Sequence, residues 1–347
     1  MNQPKSILFL GETYRADAQT WIKGIELASG VAIDTLEVKS TTSRTGRLLK
    51  FFTFGIRVLK TNLHKSYDLV LAERATSYGF FSLLVNAKKR VVAQQGITDA
   101  WPEDGWSGVY KRFLQRIVYR YVDLIHAWGE VMVPAILNSG ANPNKIMILP
   151  KGIDLENYSP GGKKISNLAI VTRSLTPVYQ HEKILHALAI LKSEGVYLQL
   201  KIVGDGPLTP FLKEKTKKLG LENQVEFLGR IPNILLPKLL ENSGLYLSFP
   251  KTEGVSASLF EAMASGCFPI VSDLPGTRAF INDKENGILV PSEDPEALAK
   301  AVNFYLNNSD LAARAREYNR SFVEKHADLK KNMKQIWNRY CTVFLGN

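Results

Sequence analysis

Short apolar runs recur along this chain, and the stretches between them carry apolar residues at helical spacing. The first run, Ile7-Leu8-Phe9-Leu10, stops at Gly11, and the pattern predicts a strand over 5–11. A helix over 20–27 and a second strand over 32–38 come next. Further strands are expected over 67–73 and 89–94, each preceded by helical sequence, and over 123–128 and 145–150. Strands that alternate with helices imply a parallel sheet covered on both faces. The polar, glycine-rich Gly161-Gly162-Lys163-Lys164 interrupts the series and reads as a linker. Strands then resume over 168–172, 198–204, 225–228, 245–248, 269–273 and 287–290, with helices such as 181–193 and 210–219 between them. The expected organisation is α/β: a Rossmann-like, doubly wound domain over 1–160, a second over 165–325, and a closing helix from about 328 to 343 within the segment 326–347. Two such domains bind ligands at the carboxyl ends of their strands, facing a cleft, and 347 residues suffice for both.

The stretch from Thr252 to Gly266 carries the densest chemistry. Glu253 and Glu261 stand eight residues apart across a loop-to-helix junction, with Gly254, Val255, Ser256, Ala257 and Ser258 between them. Small residues leave the first N–H groups of the helix open, and those groups, with the helix dipole, make a seat for phosphate. Carboxylates on either side suit the hydroxyls of a sugar and of a ribose, so the stretch reads as a nucleotide-sugar cradle. Taken alone it also fits an amphipathic helix with Ser256 as N-cap. The segments beyond Gly266 favour the cradle: the strand Cys267 to Asp273, the turns at Pro275-Gly276 and Asn286-Gly287, and a helix opened by Asp294-Pro295.

The order EG, E-A-M-A-S-G, P-I-V-S-D, G-T-R, N-G-I-L-V, D-P-E-A-L resembles the retaining GT-B glycosyltransferases of family 4. The resemblance implies two Rossmann-like domains facing a cleft, a donor site in the second, and a final helix that crosses back to the first. It implies catalytic roles for Arg173, Glu253 and Glu261. Arg173 reaches the diphosphate, as a planar guanidinium can with two parallel hydrogen bonds. Glu253 contacts donor-sugar hydroxyls, Glu261 accepts from the ribose diol, and the N–H groups of Val255 to Ser258 hold phosphate. Gly204-Asp205-Gly206-Pro207 matches the family's G-D-G-P turn, and Arg230-Ile231 falls where the family packs backbone on the nucleobase. The chain departs from the pattern at Val178, where the family has a lysine.

For the acceptor, the resemblance points to Gly11 and Glu12 at the end of the first strand and to Gln95, Gly96 and Asp99 after the fourth. Gln95 stands nearest the family's histidine and cannot carry a proton. Trp101 and Trp106 among Asp99, Glu103 and Asp104 suit carbohydrate, or equally a solvated loop with its tryptophans on the core. His64, His126, His181, His186 and His326 have no metal spacing; no metal and no cofactor are expected beyond a UDP- or GDP-linked sugar substrate.

Charge adds one feature. The net +11 is uneven: residues 1–150 hold 19 Lys and Arg against 12 Asp and Glu. Such a field draws anionic partners, yet no nucleic-acid motif accompanies it. Arg47, Lys50, Arg57 and Lys60 share one arc of a helix whose remainder is apolar. That helix is either buried with a charged edge or lies on an anionic membrane surface, and Lys111, Arg112, Arg116 and Arg120 extend the basic surface. Cys267 and Cys341 have no spaced partners, and the opening apolar run is too short for a signal peptide. The expected location is therefore cytoplasmic, or peripheral on the inner face of the membrane. The functional expectation is transfer of a sugar from a nucleotide diphosphate to a glycan or lipid-linked hydroxyl acceptor, in cell-envelope polysaccharide, lipopolysaccharide or glycolipid synthesis. A nucleotide-sugar-binding protein with weak or no transfer, a sugar-nucleotide epimerase and a phosphorylase stay open beside it.

Overall fold

The structure, a computed structural model, describes residues 3–38, 44–97 and 105–345. Two compact units divide the chain: Met1–Lys151 with Leu329–Asn347, and Gly152–Asp328. The expected linker, Gly161 to Lys164, thus lies inside the second unit, and the chain changes unit directly after Lys151. The closing helix, Leu329–Leu345, belongs to the first.

The first unit is a six-stranded parallel sheet: β1 (Ile7–Leu10), β2 (Ile33–Leu36), β3 (Tyr67–Glu73), β4 (Ala87–Gln94), β5 (Leu124–Ala127) and β6 (Ile146–Ile148), in the order β2-β1-β3-β4-β5-β6. Successive side chains of a strand point to opposite faces, and here both faces are buried. Ile7 and Phe9 join one core with Leu69 and Leu71; Leu8 and Leu10 join another with Val70, Phe54 and Val58. The continuous apolar runs result from this double burial. On the first face the helix Ala16–Ser29 packs Trp21 and Ile25 into one cluster with Ile336, Trp337 and Tyr340 of the closing helix. Gly24 permits the approach, since a Cβ there would lie 2.5 Å from Met333. His126 is fully buried beneath them, its ring nitrogens 2.8 Å from the Tyr340 hydroxyl and 2.7 Å from the Leu149 carbonyl oxygen. Burial pushes its pKa down to about 4, so it is a neutral core residue.

The second unit holds β7 (Ile165–Thr172), β8 (Gln199–Val203), β9 (Val225–Gly229), β10 (Ser243–Ser248), β11 (Phe268–Ser272) and β12 (Ile288–Val290), all parallel, in the order β12-β11-β10-β7-β8-β9. Ala169, Val171, Leu245 and Leu247 face one core, and Ile170, Tyr246 and Val271 the other. Ile153 and Asp328 close the unit where the chain enters and leaves it, with the Ile153 N–H donating to the Ala327 carbonyl at 2.8 Å.

Candidate active site

Strand order fixes where a ligand can sit. From β7 the chain builds outward through β8 and β9, then crosses to place β10 on the other side of β7. Connections leave neighbouring β7 and β10 toward opposite faces, which opens a crevice beyond their carboxyl ends. Arg173 directly follows β7, and Glu253 to Ser258 follow β10.

Arg173 joins the two sides. Its guanidinium pairs with the Glu253 carboxylate, each side chain 12% exposed, and donates to the Ser256 hydroxyl at 2.5 Å and from Nε to Ser248 at 3.4 Å. It lies 4.9 Å from the centre of the Tyr179 ring. Ser256 is the N-cap of the helix Ala257–Ala264, accepting from the Leu259 N–H at 3.2 Å. A cation and the positive end of a helix therefore converge at one point. Glu261, on the same helix, is half-buried. Burial raises its carboxyl above the ordinary range, while a hydrogen bond from Tyr158 and the charge of Arg173 pull it back in part.

Two glycines hold this point in place. A Cβ on Gly204 would lie 2.3 Å from the Arg173 carbonyl oxygen, and Gly204 has φ +132°. A Cβ on Gly206 would meet the Leu175 oxygen at 2.4 Å. The Gly204-Asp205-Gly206 turn thus supports the Arg173 loop from below; Leu175 N–H donates to the Asp205 carbonyl at 3.1 Å. The Asp205 carboxylate accepts from Thr209 at 2.7 Å and from the Gly206 N–H at 2.8 Å, which holds its pKa below the usual value. Arg230 is exposed and Ile231 half-buried after the edge strand β9, with Arg230 close enough to Asp205 to act on its charge. Val178, in the position of the absent lysine, gives its carbonyl to the Lys251 N–H at 2.8 Å. Behind Tyr179 stands His181, buried with neither ring nitrogen partnered among the described residues. Its pKa is pushed down to about 4 by burial and then by Arg173.

The first sheet has its own crossing point between β1 and β3, and the expected acceptor residues gather there. The fully buried Glu73 carboxylate accepts from the Glu12 N–H at 2.9 Å and from Gln95 Nε2 at 3.0 Å. Arg74, at φ +56°, pairs with Glu12 at 2.7 Å. Gly11 is required by this packing, because a Cβ would lie 2.8 Å from the Glu73 carboxyl carbon. Lys151 adds a half-buried ammonium that donates to the Asp17 carbonyl at 2.7 Å and lies 4.0 Å from the Trp128 ring centre; burial lowers its pKa to about 8. Gly96 is half-buried beside Gln95, while Asp99, Trp101, Glu103 and Asp104 lie outside the described residues. Sequence reasoning missed Glu73, Arg74, Lys151, Tyr158 and His181. Only Glu73 had a sequence signal: a carboxylate ending an otherwise apolar strand.

Fold and crossing points together define the class: this is the GT-B architecture, with two doubly wound units. It aligns over its full length with sucrose-phosphate synthase from Thermosynechococcus elongatus (14% identity, all of both chains, TM-score 0.84). A second alignment is with Anabaena Alr3699/HepE, solved in complex with UDP-glucose (17% identity, 97% of this chain and 99% of that one, TM-score 0.75). Within the class, residues 158–322, nearly the whole second unit, match the family of glycosyl transferases group 1. The protein provisionally named the colanic acid biosynthesis glycosyltransferase WcaL in Escherichia coli is 27% identical over 58% of this chain and 53% of its own length. The chain spans about half the length of the first curated relatives it matches.

Proposed function

We propose that the chain is a retaining glycosyltransferase that moves a sugar from a UDP- or GDP-linked donor to a hydroxyl of a glycan or lipid-linked acceptor in envelope polysaccharide, lipopolysaccharide or glycolipid synthesis. The observation that carries this reading is the junction of Arg173 with Glu253 and Ser256 at the β7/β10 crossing point. Similarity to WcaL and to HepE, which holds UDP-glucose, supports it.

In the proposed reaction the bond from the anomeric carbon to the diphosphate oxygen breaks, and the acceptor oxygen bonds to that carbon on the same face. The acceptor proton passes to the departing phosphate oxygen, so no protein base is needed, in keeping with Gln95 at the histidine position. Charge growing on the leaving group meets Arg173 and the N–H groups of Val255 to Ser258, fixed dipoles of the kind that lower such barriers most. Glu261 receives the ribose diol and Glu253 the sugar hydroxyls.

A thermal-shift screen of nucleotide sugars identifies the donor, because a specific ligand stabilises the folded state by mass action. Transfer with that donor and a panel of envelope glycans then tests the activity, and Arg173→Ala is expected to abolish it. Val178 favours one second reading, a binding protein without turnover: donor binding with neither transfer nor hydrolysis across the panel would establish it.

A further inference from the structure

The helix Trp106–Tyr121 in the first unit has an exposed face made almost entirely of two residue kinds. Its inner face is secured: Leu114, Gln115, Val118 and Tyr119 are buried, Tyr119 accepts from Gln94 at the end of β4 at 2.5 Å, and Gln115 accepts from Ser139 at 3.0 Å. At about 100° per residue, the outward half of the helix presents Trp106, Val109, Tyr110, Phe113 and Tyr121, each more than half exposed, with Trp106 at 92%. The exposed Arg112, Arg116 and Arg120 run along one border of that apolar arc. No acidic residue occurs anywhere in the helix. Beside the arginine border, Arg116 and Arg120 line a recess with Asn142 and Lys145. The Lys145 ammonium donates to the Arg120 and Val122 carbonyls at 3.2 and 2.8 Å.

An ordinary solvated helix face mixes charges of both signs with small polar residues. Large aromatic groups held in water beside an unbroken cationic border cost solvation and gain nothing unless an apolar, anionic surface covers them. Tryptophan and tyrosine suit the headgroup level of a bilayer, where the ring is buried and its polar atom stays wet. Arginines alongside draw anionic lipid, and Arg116 and Arg120 add their charge to the recess they share with Lys145.

We infer that this helix is the site at which the chain docks on an anionic lipid surface. The inference goes beyond the donor chemistry and does not depend on it. It also differs from the sequence expectation, which offered residues 47–60, within the helix Arg44–His64, as either a buried helix with a charged edge or a lipid contact. There Phe54 and Val58 are buried, Phe51 stacks on Phe81 with ring centres 5.9 Å apart, and Arg57 donates to the Glu37 carbonyl at 3.1 Å. Phe52, Leu59 and Leu63 of that helix nonetheless stay more than half exposed, so it is the competing surface that the test must separate. The side chain of Arg47 lies outside the described set.

The test is co-sedimentation of the full chain with vesicles of phosphatidylcholine alone and of phosphatidylcholine mixed with phosphatidylglycerol. Binding is expected only to the mixed vesicles and to weaken as salt rises. Joint Arg112→Glu, Arg116→Glu and Arg120→Glu should lower the bound fraction by about tenfold or more, as should joint Trp106→Ser and Phe113→Ser. Arg57→Glu with Lys60→Glu should leave binding intact. All these positions are exposed, and unchanged melting with UDP shift retained confirms folding of each variant. No binding of the wild type to mixed vesicles, or binding equal in the helix variants, overturns the inference. So does sedimentation velocity showing that this face instead joins two copies of the chain, separated by Phe113→Ser.

Discussion

The Tyr158 hydroxyl and the carboxylate of Glu261 lie close enough for each to shift the other's titration, joining the segment ahead of β7 to the helix that follows β10. Burial raises the Tyr158 pKa above its ordinary value, and the neighbouring Glu261 charge adds to the effect. One donor already in place directs the remaining lone pairs of the carboxylate outward, where a ribose diol would meet them. Tyr158→Phe removes that donor without changing the ring. UDP affinity should fall about tenfold, the size of one hydrogen bond to a charged group, as read by titration calorimetry. An unchanged dissociation constant would take Tyr158 out of the donor site.

The same carboxylate gives donor binding a pH dependence. Because burial raises the Glu261 pKa in the folded protein, the native state holds that proton more tightly than the unfolded chain does. Its contribution to stability is therefore greatest below the ordinary carboxylate pKa and declines as pH rises through the raised one. Binding runs the other way. The diol needs the ionised form as acceptor, so UDP affinity should drop as pH falls, and at a higher pH than an ordinary glutamate would dictate. Glu261→Gln should bind weakly and keep only the pH dependence that the terminal phosphate of UDP itself brings. A wild-type profile of the same shape as that of the variant would sink the assignment.

Arg173 can be tested for what it reads. Its guanidinium serves Glu253, Ser256 and Ser248 together and lies against Tyr179. A lysine ammonium lacks the planar fork needed to do so. For Arg173→Lys, UDP affinity should fall by roughly a hundredfold, near the upper range for charge-assisted bonds, while uridine affinity changes little. Equal losses for UDP and uridine would show that the residue shapes the pocket rather than holding the diphosphate.

The twelve strands of the described residues were legible in the sequence because most are short apolar runs, which a doubly covered sheet makes distinctive, although β2 (Ile33–Leu36) carries the exposed Asp34 and Thr35 at its centre. The proposed donor site was legible for a different reason: Glu253, Ser256 and Glu261 sit on one continuous junction, so local order nearly fixes their geometry. Tyr158 and Arg173 meet that junction from far away in sequence, as Glu73 meets Gln95 across 22 residues and Glu12 across 61. No local pattern encodes such pairs. The change of unit at Lys151 was hidden because the chain there is held on both sides, by Lys151 on Asp17 and Ile153 on Ala327, whereas the flexible-looking Gly161-Gly162 lies within a folded unit.

Gly204 offers a test of scaffold rather than contact. A methyl group there meets the Arg173 carbonyl oxygen at 2.3 Å, on a backbone with φ +132° that L side chains rarely adopt. Gly204→Ala must shift the loop carrying Arg173. Destabilisation of about 2 to 4 kcal/mol is expected from combined strain and overpacking, with UDP binding impaired although no proposed ligand contact is removed. Gly162→Ala, with open space around its Cβ, is the control and should leave melting and UDP affinity unchanged. If Gly204→Ala melts like the wild type, the turn does not support Arg173.

The buried carboxylate of Glu73 is the counterpart in the first unit. It accepts from the Glu12 N–H and from Gln95 Nε2, and Arg74 lies 3.5 Å away. Glu73→Gln keeps the shape but offers an amide N–H to one of these donors and leaves Arg74 without that charge. A cost of roughly 3 kcal/mol is expected, as for breaking a buried ionic network. All five tryptophans fall in the first unit, which spans Met1–Lys151 and Leu329–Asn347. Urea unfolding followed by tryptophan emission therefore reports on that unit alone, and its midpoint should move down while the UDP-induced shift of the second unit persists. A midpoint within error of the wild type would mean that the Glu73 cluster does not hold the first crossing point together. Gln95 would then have to be positioned by something other than this carboxylate.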